Sequence, residues 1–173
     1  MQITLPDTTV ELRAPQTSDG SMIWQLVRDT DVLDLNSPYA YFLLGEHFAD
    51  TCMVAERDGE IVGLVSAYLP PETANCLFVW QVGVAASMRQ QGLALQMLLA
   101  LLQRDTCRNI ASIQTTITPS NKPSRALFGA LAQAVNGELI EQSDYFRAEW
   151  FPEDNHEAES LFTITPVLPN RPA

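Results

Sequence analysis

Residues 82–94 read V-G-V-A-A-S-M-R-Q-Q-G-L-A, an apolar strand-type run that stops at a glycine-containing turn and restarts in the apolar segment Leu93–Leu102. A chain with this run must place a strand, a tight turn and a buried helix in immediate succession. Such a junction leaves the first N–H groups of the helix without intrahelical partners at the positive end of its macrodipole. It therefore favours an anionic ligand, and a pyrophosphate above all. Neither G-x-x-x-x-G-K-[ST] nor G-x-G-x-x-G occurs, so the turn is not a nucleoside triphosphate loop or a dinucleotide fingerprint.

The 173 residues, 46% of them hydrophobic, are enough for one core, read as a single domain over residues 1–165 with a flexible tail over 166–173. A net charge of −11 argues against nucleic acid and anionic membranes as partners, since phosphate binding draws on Lys and Arg. An amine substrate suits that charge, and so does solubility in a salty cytoplasm. Residues 1–7 lack a basic and an apolar stretch, so the expected location is cytoplasmic. The longest apolar run is interrupted by Gln96 and falls short of the roughly 20 residues of a membrane span. Cys52, Cys76 and Cys107 are odd in number, widely spaced and set in apolar stretches, which predicts reduced core thiols and no metal site.

Periodicity predicts a first strand at 9–13, a helix near 20–28 and a second helix started by Pro38. Residues 51–56 and 61–68 are β-type runs joined through Asp58-Gly59, a hairpin signal. The strand 76–84 feeds the opening motif, whose helix extends to about Arg104. A strand at 110–117, a helix from Ser124 to about Ala134, weaker strands at 137–140 and 145–149 and a last strand at 160–165 complete the order. The β-α-β-α order of the second half implies a partly parallel sheet within an α/β (α+β) protein.

Arg89-Gln-Gln-Gly-Leu-Ala94 fits R/Q-x-x-G-x-G/A and resembles the coenzyme A pyrophosphate loop of the GCN5-related N-acetyltransferase superfamily. Asn121-Lys-Pro-Ser-Arg-Ala-Leu-Phe128 resembles the second cofactor motif of the same superfamily, N-x-x-[SA]-x-x-[LF]-[YF]. The resemblance implies a mixed, mostly antiparallel twisted sheet of about seven strands flanked by helices, with a splayed central parallel pair. Acetyl-CoA would be the cosubstrate, held by Val82, Gly83 and Val84 on the splayed strand, by Arg89, Gln90, Gln91, Gly92, Leu93 and Ala94 in the loop, and by Asn121, Ser124 and Phe128. Small residues at Gly92 and Ala94 let a cofactor approach the backbone, and a backbone N–H at Val84 would face the developing oxyanion. A tight turn beside a solvated arginine and an ordinary core strand are the structural alternatives. Many members carry a tyrosine as general acid where this chain has Phe128, which cannot donate a proton.

At finer grain, residues 33–41, 78–84, 116–121 and 151–156 are similar to the L-2,4-diaminobutyrate acetyltransferases of ectoine biosynthesis. That family implies direct transfer of acetyl from acetyl-CoA to the γ-amine of L-2,4-diaminobutyrate in a ternary complex, without a metal, by a homodimer. The acceptor amine, with a pKa near the lysine value of about 10.4, must lose a proton before attack. Asp34 and His156 are the candidate catalytic groups, and Asp34 is also a candidate counter-ion for the ammonium. Asn36, Tyr39, Tyr41, Trp80, Glu149 and Glu153 are further candidates for the acceptor pocket. The plain readings beside these are a helix cap for Asp34, a surface histidine, and core aromatics. Acetylation of another small amine or of a protein amino group, or a catalytically silent acyl-CoA-binding module, are the alternative functions.

Overall fold

A computed structural model describes residues 1–6, 8–73, 75–152 and 156–167. Eight strands follow one another in the sheet order β1-β2-β3-β4-β5-β6-β8-β7. They are β1 Gln2–Leu5, β2 Thr8–Arg13, β3 Met53–Arg57, β4 Glu60–Tyr68, β5 Cys76–Val84, β6 Ser112–Ile117, β7 Glu138–Phe146 and β8 Glu159–Thr165. The helices are α1 Gly20–Thr30, α2 Pro38–His47, α3 Leu93–Leu102 and α4 Lys122–Ala134. β1 with β2, β2 with β3, β3 with β4, β6 with β8 and β7 with β8 pair antiparallel, and β5 with β6 in parallel. The chain forms two compact units, Met1–Tyr68 with Val79–Arg108, and Leu69–Phe78 with Asn109–Ala173.

In the first unit β1 is an addition to the expected strands and raises their number from about seven to eight. Gln2-Ile-Thr-Leu5 alternates polar and apolar residues as β2 does, and pairs with it from Leu5↔Thr8 to Gln2↔Glu11. The β3–β4 hairpin turns on Asp58 and Gly59, both at positive φ (54° and 83°), the two-residue turn whose twist matches the strands. Alternation sends Val54 and Leu64 to one face, where they form a core with Ile23, Leu26 and Val27 of α1 and Tyr41 and Leu44 of α2. On the other face α3 packs on β3 and β4, with Met97 over Gly63. α3 is shorter than expected, because after Leu102 the chain tightens into the 3-10 turn Asp105–Cys107. Arg104 is spent on the backbone carbonyls of Ala49 (2.9 Å) and Cys52 (2.5 Å).

In the second unit β6 pairs in parallel with β5 through Cys76↔Ser112, Leu77↔Ile113 and Phe78↔Gln114, and antiparallel with β8. Ile113, Thr115 and Ile117 take its buried positions. The two weak strand candidates are one strand, β7, with a register shift between Gln142 and Phe146 and Asp144 at φ 53°. A bulge of this kind breaks the period-two pattern, so the sequence reads as two fragments. Ala148 and Glu149, expected at a strand end, lie in the 3-10 turn Ala148–Trp150. Val167 is buried and its N–H donates to the Ala111 carbonyl (2.9 Å). No helix among the described residues is long and apolar enough to cross a membrane.

Candidate functional site

β5 alternates strictly from Val79. Val79, Gln81 and Gly83 are buried, while Trp80 is 45% exposed and Val82 and Val84 half-buried on the opposite face. Trp80 and Val82 therefore share a face, as their spacing requires. At Gly83 an added Cβ would lie 3.2 Å from Leu33 Cδ1, so the missing side chain lets the connection between α1 and α2 close onto the strand.

That connection begins at Asp31, in the left-handed region at φ 54°, and ends where Pro38 opens α2. Asp34 lies exposed within it, and among the described residues its carboxylate has neither a hydrogen bond nor an ion pair. Its backbone is pinned, the carbonyl accepting from Gln81 Nε2 at 2.8 Å. Asn36 donates its N–H to the Tyr41 hydroxyl, which donates to Gln81 Oε1, both at 3.4 Å. Tyr41 is wholly buried and Tyr39 is 67% exposed. Of the acceptor-side candidates in this unit, Asp34, Tyr39 and Trp80 face outward, while Asn36 and Tyr41 join an internal network. Gln81, which holds that network, was missed by the sequence reading; the available signal was an amide in the buried phase of an otherwise apolar strand.

After Val84 the 3-10 turn Ala86–Met88 leads to Gln90 at φ 62° and to Gly92, the N-cap of α3, at φ 78°. No side chain caps α3, and Gln96 N–H is bonded to the Gly92 carbonyl at 3.1 Å. The N–H groups of Leu93, Ala94 and Leu95 thus form the unpaired first turn. A Cβ at Gly92 would meet nothing within 4 Å, so the approach to these donors is open. Gln91 Nε2 donates to the Ser87 carbonyl (3.3 Å), and its Oε1 is buried without a partner among the described residues. Unpaired backbone N–H groups at the positive end of a helix dipole favour an anion. Arg89 adds positive charge beside it, with Nε on the Val84 carbonyl and one terminal nitrogen on the Thr30 carbonyl, each at 3.2 Å.

In the second unit Asn121 is the N-cap of α4, its Oδ1 accepting from the Ser124 N–H at 3.1 Å. With Pro123 in the first turn, the helix starts at Lys122, two residues before the expected Ser124. Arg125 lies over the Phe162 ring and binds Glu141 through two bonds of 3.1 and 2.7 Å. The Arg125 hydrogen bond holds the Glu141 carboxyl below its usual range. Phe128 is buried. His156 stacks on Phe151 at 3.6 Å between ring centroids, with Nδ1 2.7 Å from the Glu157 carbonyl. A carbonyl only accepts, so Nδ1 carries the hydrogen and Nε2 is the nitrogen left to exchange a proton. Glu149 pairs with Arg147 at 3.5 Å, and Glu153 lies outside the described residues.

All three cysteines are free and buried. Burial pushes the Cys52 and Cys107 thiols up to about 11 and raises that of Cys76, so none is a ready nucleophile near neutral pH.

Residues 21–132 match the acetyltransferase (GNAT) family. An L-2,4-diaminobutyric acid acetyltransferase of Halalkalibacterium halodurans is 45% identical over 94% of the chain and 85% of its own length. One from Marinococcus halophilus is 48% identical over 88% of the chain and 87% of its own. Among solved structures, the diaminobutyrate acetyltransferase EctA of Paenibacillus lautus, in complex with its substrate L-2,4-diaminobutyric acid and coenzyme A, superposes with a TM-score of 0.88. It is 45% identical and covers 94% of this chain and 98% of its own.

Proposed function

The chain belongs to the acetyltransferase (GNAT) family and, within it, to the L-2,4-diaminobutyric acid acetyltransferases, and we propose from that membership that it moves the acetyl group of acetyl-CoA to the γ-amine of L-2,4-diaminobutyrate. The observation that carries this reading is the likeness, over 94% of the chain, to an enzyme bound to that amine and to coenzyme A. The uncapped first turn of α3 supports a pyrophosphate held by the N–H groups of Leu93 and Ala94, with Arg89 and Gly92 beside it. Val82, Gly83 and Val84 offer the backbone edge for the pantetheine arm and the thioester carbonyl. In the transfer the amine loses a proton and forms the N–C bond, the C–S bond breaks, and the departing thiolate takes up a proton. The buried Phe128 cannot supply that proton, so it comes from the attacking amine or from water.

Thiol release from acetyl-CoA tests the reading. Release is expected to be fastest with L-2,4-diaminobutyrate and to yield the γ-acetyl product; preference for polyamines or peptides would move the substrate elsewhere. No release with any amine would favour the acyl-CoA-binding module, the alternative to which Phe128 points. In the same assay Gly92→Val should raise the KM for acetyl-CoA at least about tenfold, because a β-branched residue is strained at φ 78° and shades the N–H groups. An unchanged KM would remove this turn from the cofactor site.

The reading includes a cytoplasmic homodimer. Strand β7 is the last of the sheet order and exposes Ile140, Tyr145 and Phe146, with Trp150 following, an apolar edge that supports cover by a second copy. Light scattering should give twice the chain mass, reduced to the single mass by Phe146→Lys; a monomeric parent chain would overturn the assembly.

A further inference from the structure

We propose that Gln81 is a positioning residue for the acceptor: its side chain sets where the Asp34 carboxylate stands, and so sets the KM for the amine. This rests on the proposed reaction and on Asp34, a candidate counter-ion in the sequence, meeting the substrate ammonium in it. Gln81 is 5% exposed, in the strand phase it shares with Val79 and Gly83. An amide in that place is costly to bury unless its groups are paired, and an aliphatic residue would serve the core at less cost. Each of its groups is engaged. The backbone N–H donates to Ser66 Oγ of β4 (3.1 Å), Nε2 to the Asp34 carbonyl (2.8 Å), and Oε1 accepts from Tyr41 of α2 (3.4 Å).

The segment held this way has no regular structure. Asp34, Leu35 and Ser37 are exposed, and among the described residues the side-chain anchors of residues 33–37 are Gln81 on the Asp34 carbonyl and Tyr41 on the Asn36 N–H, beside the Ala40 N–H on the Ser37 carbonyl where α2 begins. The shortest of the side-chain bonds falls on the backbone of Asp34, the one acidic residue of the segment, whose carboxylate has no partner among the described residues. Backbone fixation at that point confines the carboxylate without using any of its acceptor capacity, which stays available for a cation. Losing the anchor would make the segment order itself at each binding event, a cost that appears in the amine's affinity and not in the cofactor's.

Gln81→Leu conserves volume and removes the amide. Hydrogen exchange of the ligand-free protein should then quicken about tenfold at the amides of residues 33–37, with α1 and β4 unchanged, as loss of one hydrogen bond predicts. The KM for L-2,4-diaminobutyrate should rise about tenfold while the KM for acetyl-CoA moves less than about twofold. Gln81→Glu supplies a readout that a merely structural role would not move. Its ionised carboxyl cannot donate to the Asp34 carbonyl but its protonated form can, so its KM excess over the parent at the same pH should shrink as pH falls. Tyr41→Phe, which keeps the ring, should loosen the same amides and raise the amine KM about threefold, and it carries the test if Gln81→Leu does not fold. Unchanged exchange at 33–37 together with an unchanged amine KM would overturn the proposal, as would loss spread evenly over exchange, melting temperature and both KM values. If the parent protein acetylates no diaminobutyrate, the functional reading fails on its own, and the exchange experiment still decides whether Gln81 anchors the segment.

Discussion

Asp34→Ala is expected to lower kcat/KM for L-2,4-diaminobutyrate by about tenfold to a hundredfold, the range of one charge-assisted hydrogen bond. Coenzyme A affinity by calorimetry should stay within about twofold. The carboxylate is exposed and makes no bond or ion pair among the described residues, so the folded protein loses little with it. Stability should therefore change by no more than about 0.5 kcal/mol, which separates this variant from any that act through folding. Asp34→Asn distinguishes the two chemical roles. A counter-ion loses its charge in both variants and raises KM, with kcat retained. A base loses its proton acceptor in both, lowers kcat, and removes the acidic limb of the kcat profile. Parent-like kinetics in Asp34→Ala would take this residue out of the site.

The elements that determine the cofactor turn were legible because their signals are strong and local. Strand 76–84 has the predicted bounds, Pro38 opens α2, and Asp58-Gly59 makes the hairpin. Each follows from a run of apolar residues or from a backbone conformation that few residue types allow. Weaker or longer-range signals went unread. β1 is four residues long, and β7 is exposed nearly throughout, so burial imposes no pattern on it; its register shift then splits what pattern remains. The candidate side chains divide by the same logic. That Tyr39 faces outward while Tyr41 is buried is decided by how α2 sits on α1 and β4, not by any property of the tyrosines. Gln81 stood out only as an amide in the buried phase of its strand, and what it holds was not legible because its partners are 47 and 40 positions away, at Asp34 and Tyr41. Arg125 lies within the second motif, and nothing local to that motif shows that its two bonds go to Glu141, 16 positions on.

Asp19→Ala should destabilise the first unit by about 3 kcal/mol, because it removes the buried partner of a two-bond ion pair. Arg13, at the end of β2, places its two terminal nitrogens on the Asp19 carboxylate at 2.6 and 3.0 Å and its Nε on Glu56 of β3 at 2.8 Å. Asp19 is itself buried and also accepts the Gln16 N–H at 2.7 Å. One guanidinium thus joins two strands to the start of α1. For a chain of this size the loss corresponds to a fall in Tm of roughly 6–12 °C. Burial by itself raises the Asp19 carboxyl, but the Arg13 hydrogen bonds, the Gln16 N–H and the Arg13 charge together outweigh it and hold the group below its ordinary 3.8. A carboxyl depressed on folding contributes its full stability above the unfolded value and loses it as pH falls through the folded one. The parent protein should therefore lose stability as pH drops below about 4, and Asp19→Asn, which cannot titrate, should show a shallower acid slope. Identical slopes in thermal melts between pH 3 and 7 would deny Asp19 this role. Because α1 runs from its N-cap Asp19 to Thr30, whose carbonyl meets Arg89, the same melts provide a control for the kinetic variants. A folded Asp19→Ala enzyme at 25 °C should keep both KM values, so a rise in the amine KM belongs to Gln81 and Asp34 and not to a weakened fold.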